Sequence, residues 1–316
     1  MYLPFLRGKL FELKAIKEFI DESYGGNYGK QIMPIIEPVK EDIRPIMNCI
    51  DAMHRVDMPF AIVLNSRLGD YRRSTLEFDI TAFLADEKMR YIEHWVPAFE
   101  VTSDTEAIKT AILEHNLSEV MLIFFSGVDY ENAQVRDLLN QSSIAYIVVY
   151  NLGQNRTMQS RLRATDKHII TIENRFIEQS ANVEYSNIDE FFTDTFNYYE
   201  GDGMFGFSDF TALARNYREG GTLPQVVAIH ITYERNPEEV YVHHFLSDSK
   251  NGKVNIREEY KEACDKIKPF FVDKQSTQAV LQLIESEYPG LGAIKKFSIK
   301  NHLELMSRIL HKKEAQ

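Results

Sequence analysis

The sequence predicts an α/β protein folded as a (β/α)8, TIM-barrel-like domain, on three observations. Short runs of β-branched and aromatic residues recur along the chain, segments with helical spacing separate them, and the runs number eight. Eight parallel strands with covering helices can close on themselves and leave no edge exposed. An open doubly wound sheet uses the same local pattern, but no G-x-G-x-x-G follows the first run.

The strands are expected at residues 32–36, 60–64, 95–99, 120–125, 144–150, 168–172, 204–207 and 226–231. A helix over 43–56 would place Ile43, Ile46, Met47, Ile50 and Met53 on one face, with Pro45 suited to its first turn. Further helices are expected over 105–115, 132–141 and 188–199. Residues 9–20 read as a helix flanking the barrel ahead of its first strand. The eighth strand turns at Glu234–Arg235–Asn236–Pro237 into an antiparallel partner over 240–246, a β-hairpin. C-terminal helices follow over 257–271, 276–287 and 299–311. The expected organisation is a single domain over 1–316, with barrel strands and hairpin in 31–248 and a helical extension in 249–316.

With 316 residues, 44% of them apolar, the chain can bury a large core in one domain. Its net charge of -11 argues against an extended nucleic-acid groove and against anionic membranes. Cys49 and Cys264 stand far apart in no C-x-x-C arrangement, which fits a reducing compartment and gives no cysteine-built zinc site. The N-terminus lacks the unbroken apolar stretch of a signal peptide, and the longest apolar runs fall far short of a bilayer. A cytoplasmic protein without membrane association is therefore expected.

In such a barrel, reactive groups project from the C-terminal ends of the strands. The residues there are Glu37, Asn65 and Arg67, Glu100, Ser126, Asn151, Glu173 with Asn174 and Arg175, Ser208 with Asp209, and His230 or Thr232. Glu37, Glu100, Glu173 and Asp209 form an oxygen-rich set suited to a hard divalent cation such as Mg2+ or Ca2+. Arg67 and Arg175 offer planar forks for a phosphate or carboxylate, with Asn65 and Asn151 as further substrate contacts. That combination points to metal-assisted phosphoester chemistry, with Glu37, Glu173, Asp209 and His230 as catalytic candidates and His230 as acid or base. The same residues would equally serve as ion pairs that hold the rim together. Glycoside hydrolysis by a carboxylate pair ranks lower, since Trp95 is the single tryptophan.

His243 and His244 point to opposite faces of their strand, so one of them is expected across from His230. The stretches 24–29 and 201–206 lack a P-loop ending and read as loops, and Gly220–Gly221 reads as a helix stop. Lys295, Lys296, Lys300, Arg308, Lys312 and Lys313 form a local basic run, either a solvated helix face or a contact for nucleic acid or an acidic partner.

The opening MYLPFLRGKLFEL, the strand IMPIIEPVK, the segment GFSDF and the pair VVAIHITY with VHHFLSD together resemble an uncharacterised bacterial family akin to the phage Beta proteins. The likeness runs from Tyr2 to about Asp248. It carries no catalytic residues; it implies a phage-defence or mobile-element context and marks Arg7, Lys9, Glu37, Asp209 and His230 as lying in its recognisable segments.

The leading expectation is a barrel enzyme acting on a phosphate-containing substrate such as a nucleotide. The alternative is a non-catalytic binding or scaffold protein that meets a partner protein through the hairpin and C-terminal helices. Homo-oligomers are compatible with either.

Overall fold

Eight short parallel strands closed into a barrel organise one half of the protein, and a three-stranded antiparallel sheet with long helices organises the other. The computed structural model describes residues 1–23, 31–73, 76–92, 94–185, 189–220, 224–248 and 255–315. Among them the strands are β1 (Phe5–Leu6), β2 (Ile35–Ile36), β3 (Phe60–Val63), β4 (Trp95–Glu100), β5 (Val120–Phe124), β6 (Ile144–Tyr150), β7 (His168–Glu173), β8 (Asp189–Thr193), β9 (Gly206–Asp209), β10 (Ala228–Asn236) and β11 (Glu239–Leu246). The helices are α1 (Leu10–Ser23), α2 (Arg44–His54), α3 (Ile80–Ala85), α4 (Thr105–Glu114), α5 (Ala133–Leu139), α6 (Arg156–Arg163), α7 (Ile256–Phe270), α8 (Gln278–Glu285) and α9 (Leu291–Glu314). The chain divides into two compact units: Met1–Lys9, Ile32–Asn174 and Thr195–Asp209 form the first, and Leu10–Gln31, Arg175–Asp194 and Phe210–Gln316 the second.

In the first unit the strands pair in the order β1-β2-β3-β4-β5-β6-β7-β9, all parallel. A parallel bridge between Tyr2 and Phe207 brings the two edges together, with the Leu3 N–H donating to Phe207 O at 2.8 Å and the Phe207 N–H to Met1 O at 3.1 Å. Followed once around the wall, the pairing returns to the first strand displaced by about eight residues, the shear of a (β/α)8 barrel. Parallel strands of this kind are covered on both faces, which is why FAIV of β3 and VMLIF of β5 are apolar and buried throughout. Side-chain caps fix where the intervening helices begin: Asp104 accepts from the Ala107 N–H, Asn132 from Gln134 and Val135, and Asn155 from Met158.

In the second unit β10, β11 and β8 form the antiparallel sheet. Val227, Ile229, Ile231 and Phe245 pack against Tyr260 and Ile267 of α7, Leu283 of α8 and Phe297 of α9. Lys300 of α9 is fully buried and donates to Glu22 of α1 at 2.6 Å and to Gln282 at 2.7 Å. Lys296 meets Glu18, and Arg308 and Lys312 both meet Glu234, so four members of the C-terminal basic run have carboxylates of their own unit as partners.

Several expectations are corrected here. The strand expected at 226–231 belongs to the antiparallel sheet, and the barrel takes Phe5–Leu6 as its first strand instead. A two-residue strand shows no periodicity, whereas VVAIHITY is a long β-branched run that outweighs it locally. The helix read at 9–20 exists as α1 but follows the first barrel strand rather than preceding it. Residues 189–193, expected within a helix, are β8 pairing with β11, followed by a 3-10 turn at Thr195–Asn197; Ile188 lies outside the described residues. No helix leads into Gly220, Gly206 opens β9 rather than ending a loop, and Gly221 and the 24–29 stretch lie outside the described residues. Among the described residues no helix is long and apolar enough to cross a membrane.

Candidate active site at the barrel mouth

Register decides which face of the barrel wall each side chain takes, because partners on neighbouring strands share a face and residues along a strand alternate. Phe5 is aligned with Ile35, Ala61 and Val96, and Ala98 with Met121, Tyr146 and His168. The Phe5 ring lies 5.4 Å from that of Phe125, just past β5 and four strands away, so this face lines the lumen. By the same alternation Arg7, Glu37, Asn65 and Glu100 face the lumen at the C-terminal ends of their strands.

Glu37 sits at the centre of this group. Its N–H continues the ladder by donating to Leu6 O at 2.8 Å, and its carboxylate is 1% exposed. Arg7 pairs with Oε2, and the Ser66 hydroxyl donates to Oε1 at 3.0 Å. The Arg7 guanidinium lies over the Phe5 ring, 4.9 Å from its centroid, so packing and charge hold it together. Gly8 makes the approach possible: at φ +62° the chain leaves β1 directly after Arg7, and a Cβ there would stand 2.9 Å from Glu37 O.

Asn65 is committed to the backbone of its neighbour. Its amide donates to Glu100 O at 2.8 Å and accepts from the Glu100 N–H at 2.9 Å, which extends the pairing of β3 with β4 by side-chain means and places Glu100. Arg67, two residues further on, is exposed and has no ion-pair partner among the described residues. Asn151 occupies the left-handed region at φ 49° where β6 turns toward α6, and its N–H donates to Ile172 O at 2.9 Å. That conformation suits asparagine, and it gives the residue a role in the turn.

Glu173 and Asp209 are register partners at the ends of β7 and β9, on the opposite parity from Ile170 and Gly206, which belong to the lumen face. They therefore face away from the lumen. Thr195 donates to Glu173 at 2.9 Å and Tyr2 to Asp209 at 2.7 Å; burial first, and then Asp209, raise the Tyr2 hydroxyl well above its ordinary pKa. The four-carboxylate set is thus divided, Glu37 and Glu100 on the lumen face and Glu173 and Asp209 on the outer one. Among the described residues no three His, Cys, Asp or Glu side chains are grouped so as to hold a metal ion.

Arg175 and His230 belong to the second unit. The Arg175 guanidinium lies 5.6 Å from the Phe191 ring centroid. His230 pairs across the hairpin with His244, as expected from the turn, and the neighbouring His243 takes the other face and contacts Asp189 at 2.7 Å. Reading strand ends alone missed Ser66 and Tyr2, and Arg7 was marked only by the resemblance, because the strand that carries it is too short to be seen. The chain was compared with protein-family models and with curated protein sequences, and it matches none of them.

Proposed function

We propose that the chain is an enzyme of the barrel class whose mouth binds and hydrolyses a phosphate-containing substrate, a phosphate ester or a nucleotide. The observation that carries this reading is the buried Glu37, oriented by Arg7 and Ser66 on the lumen face, with the exposed Arg67 directly following Ser66 in the chain. A fixed carboxylate at the C-terminal end of a barrel strand is placed to take a proton from an attacking water. Arg67 has the planar fork that holds a phosphate through paired charge-assisted bonds. The water oxygen bonds to phosphorus and its proton passes to Glu37, while the P–O bond to the leaving group breaks with its electron pair staying on the leaving oxygen, which takes up a proton from solvent. A place in phage defence rests on the resemblance alone.

The test is calorimetric titration and turnover of a panel of nucleotides and simple phosphate esters with wild type, Glu37→Gln and Arg67→Lys. Expected are binding and turnover by the wild type, binding without turnover by Glu37→Gln, and weakened binding by Arg67→Lys. If no panel member binds the wild type, the phosphate reading is wrong and the Arg7–Glu37 pair is structural.

A further inference from the structure

The second unit holds a polar cluster that the barrel mouth does not use. Register sets His230 of β10 opposite His244 of β11, and the two Nδ1 atoms stand 2.7 Å apart. At that distance one proton lies between two ring nitrogens: one imidazole donates and the other accepts. His244 is fully buried, and its Nε2 lies 3.2 Å from Oε2 of Glu190 on β8 without an aligned hydrogen bond. The cluster therefore connects all three strands of the sheet. Tyr185 covers it, with ring centroids 4.6 Å from His230 and 4.8 Å from His244, and Phe176 lies 5.0 Å from His230. The other charged groups around it are His243 with Asp189 on the opposite face of the sheet, Lys295 on α9, and Glu178, which pairs with Arg218 beside Tyr185.

We propose that His230 and His244 form a proton-operated latch: with one proton shared between the two Nδ1 atoms the pair closes β10 on β11 beneath Tyr185 and Phe176, and protonation of both rings in acid parts it. Once both rings are imidazolium, both Nδ1 atoms carry hydrogen at a separation that only a donor and an acceptor tolerate, and two cations face each other with His244 fully buried. Glu190 tempers this on the His244 side, whereas Lys295 adds to it on the His230 side.

The titration runs in the matching direction. Burial, with His244 and Lys295 adding to it, pushes His230 well below the ordinary histidine value, and burial lowers His244 despite Glu190. Both folded values lie below the unfolded one, so the contribution to stability is complete above pH ~6.5 and shrinks as pH falls below it. Each histidine changes the closing equilibrium by up to about tenfold per pH unit until its folded value is reached.

The experiment is histidine side-chain nitrogen NMR on the full chain from pH 7.5 to 5.0, with amide exchange protection factors measured in parallel. Expected are one hydrogen-bonded N–H shared by His230 and His244, and protection of β10 and β11 that falls on acidification while that of β5 and β6 holds. In His230→Gln the amide still donates to His244, and the pH dependence of protection drops by up to about tenfold per pH unit. Independent titration of the two rings near pH 6.5, or unchanged pH dependence in His230→Gln, overturns the latch. So does stoichiometric binding of added Zn2+ that displaces the shared proton. If His230→Gln does not fold, the wild-type titration decides alone.

Discussion

The Tyr2 hydroxyl and the Asp209 carboxylate meet at 2.7 Å where the first and last strands of the barrel come together, both of them buried. The contact lies on the outer face of the seam, and the Tyr2 and Phe207 rings pack beside it at 5.2 Å. Hydrogen bonds to carboxylates contribute about 1.5–3 kcal/mol. Tyr2→Phe is expected to lower unfolding free energy by that amount in urea titrations of the whole chain. A loss below about 0.5 kcal/mol would show that Asp209 is satisfied without Tyr2.

The same seam leaves no room at Gly206. A Cβ there would stand 2.6 Å from Met1 O and 2.7 Å from a Leu3 methyl, so Gly206→Ala must push β9 away from the N-terminal segment. The expected cost is about 1–3 kcal/mol, typical of overpacking, and amide exchange should quicken at Leu3 and Phe207 before it does in β5. Uniform exchange would mean that the strand shifts as a whole.

Removing one partner of the Arg7–Glu37 pair leaves the other, largely buried side chain without its counter-charge. Arg7→Ala is expected to destabilise by about 3–5 kcal/mol, whereas the apolar double variant Arg7→Met with Glu37→Leu should recover most of that loss. Denaturant titration of both variants measures the difference. Equal losses would show that packing, rather than the buried charge, sets the cost.

Arg67 gives the opposite profile, being exposed. Arg67→Lys should change unfolding free energy by no more than about 0.5 kcal/mol and weaken phosphate-ester binding by up to about 1.5–3 kcal/mol, the range for hydrogen bonds to charged groups. Calorimetry and thermal melts on the same samples separate the two effects. A variant that melts early would place Arg67 among the structural residues.

Much of the barrel was legible because its strands are apolar runs covered on both sides: residues 60–63, 120–124 and 144–150 are found where the pattern put them. The edges were not, because Phe5–Leu6 becomes a strand only through its pairing with Ile35–Ile36. Counting therefore began one strand late and ended on VVAIHITY, which carries the stronger local signal for a strand in a different sheet. The candidate site divided for a related reason. A list of strand ends records height along the barrel but not parity, so Glu37 and Glu173 looked alike until register put them on opposite faces. The His230–His244 pair was readable because a hairpin with a known turn fixes its own register.

The seam also carries a kinetic consequence. Tyr2 and Asp209 are 207 residues apart, and every backbone bond that closes the wall joins the first residues of the chain to the strand at 206–209. Loop closure over such a distance comes late, after the local βα units have formed. During synthesis the first strand therefore emerges long before its second neighbour exists, and waits with one edge unpaired, open to pairing with other chains. Refolding at low protein concentration should favour the closed monomeric wall, and crowding of nascent chains should favour mispairing at Leu3–Leu6.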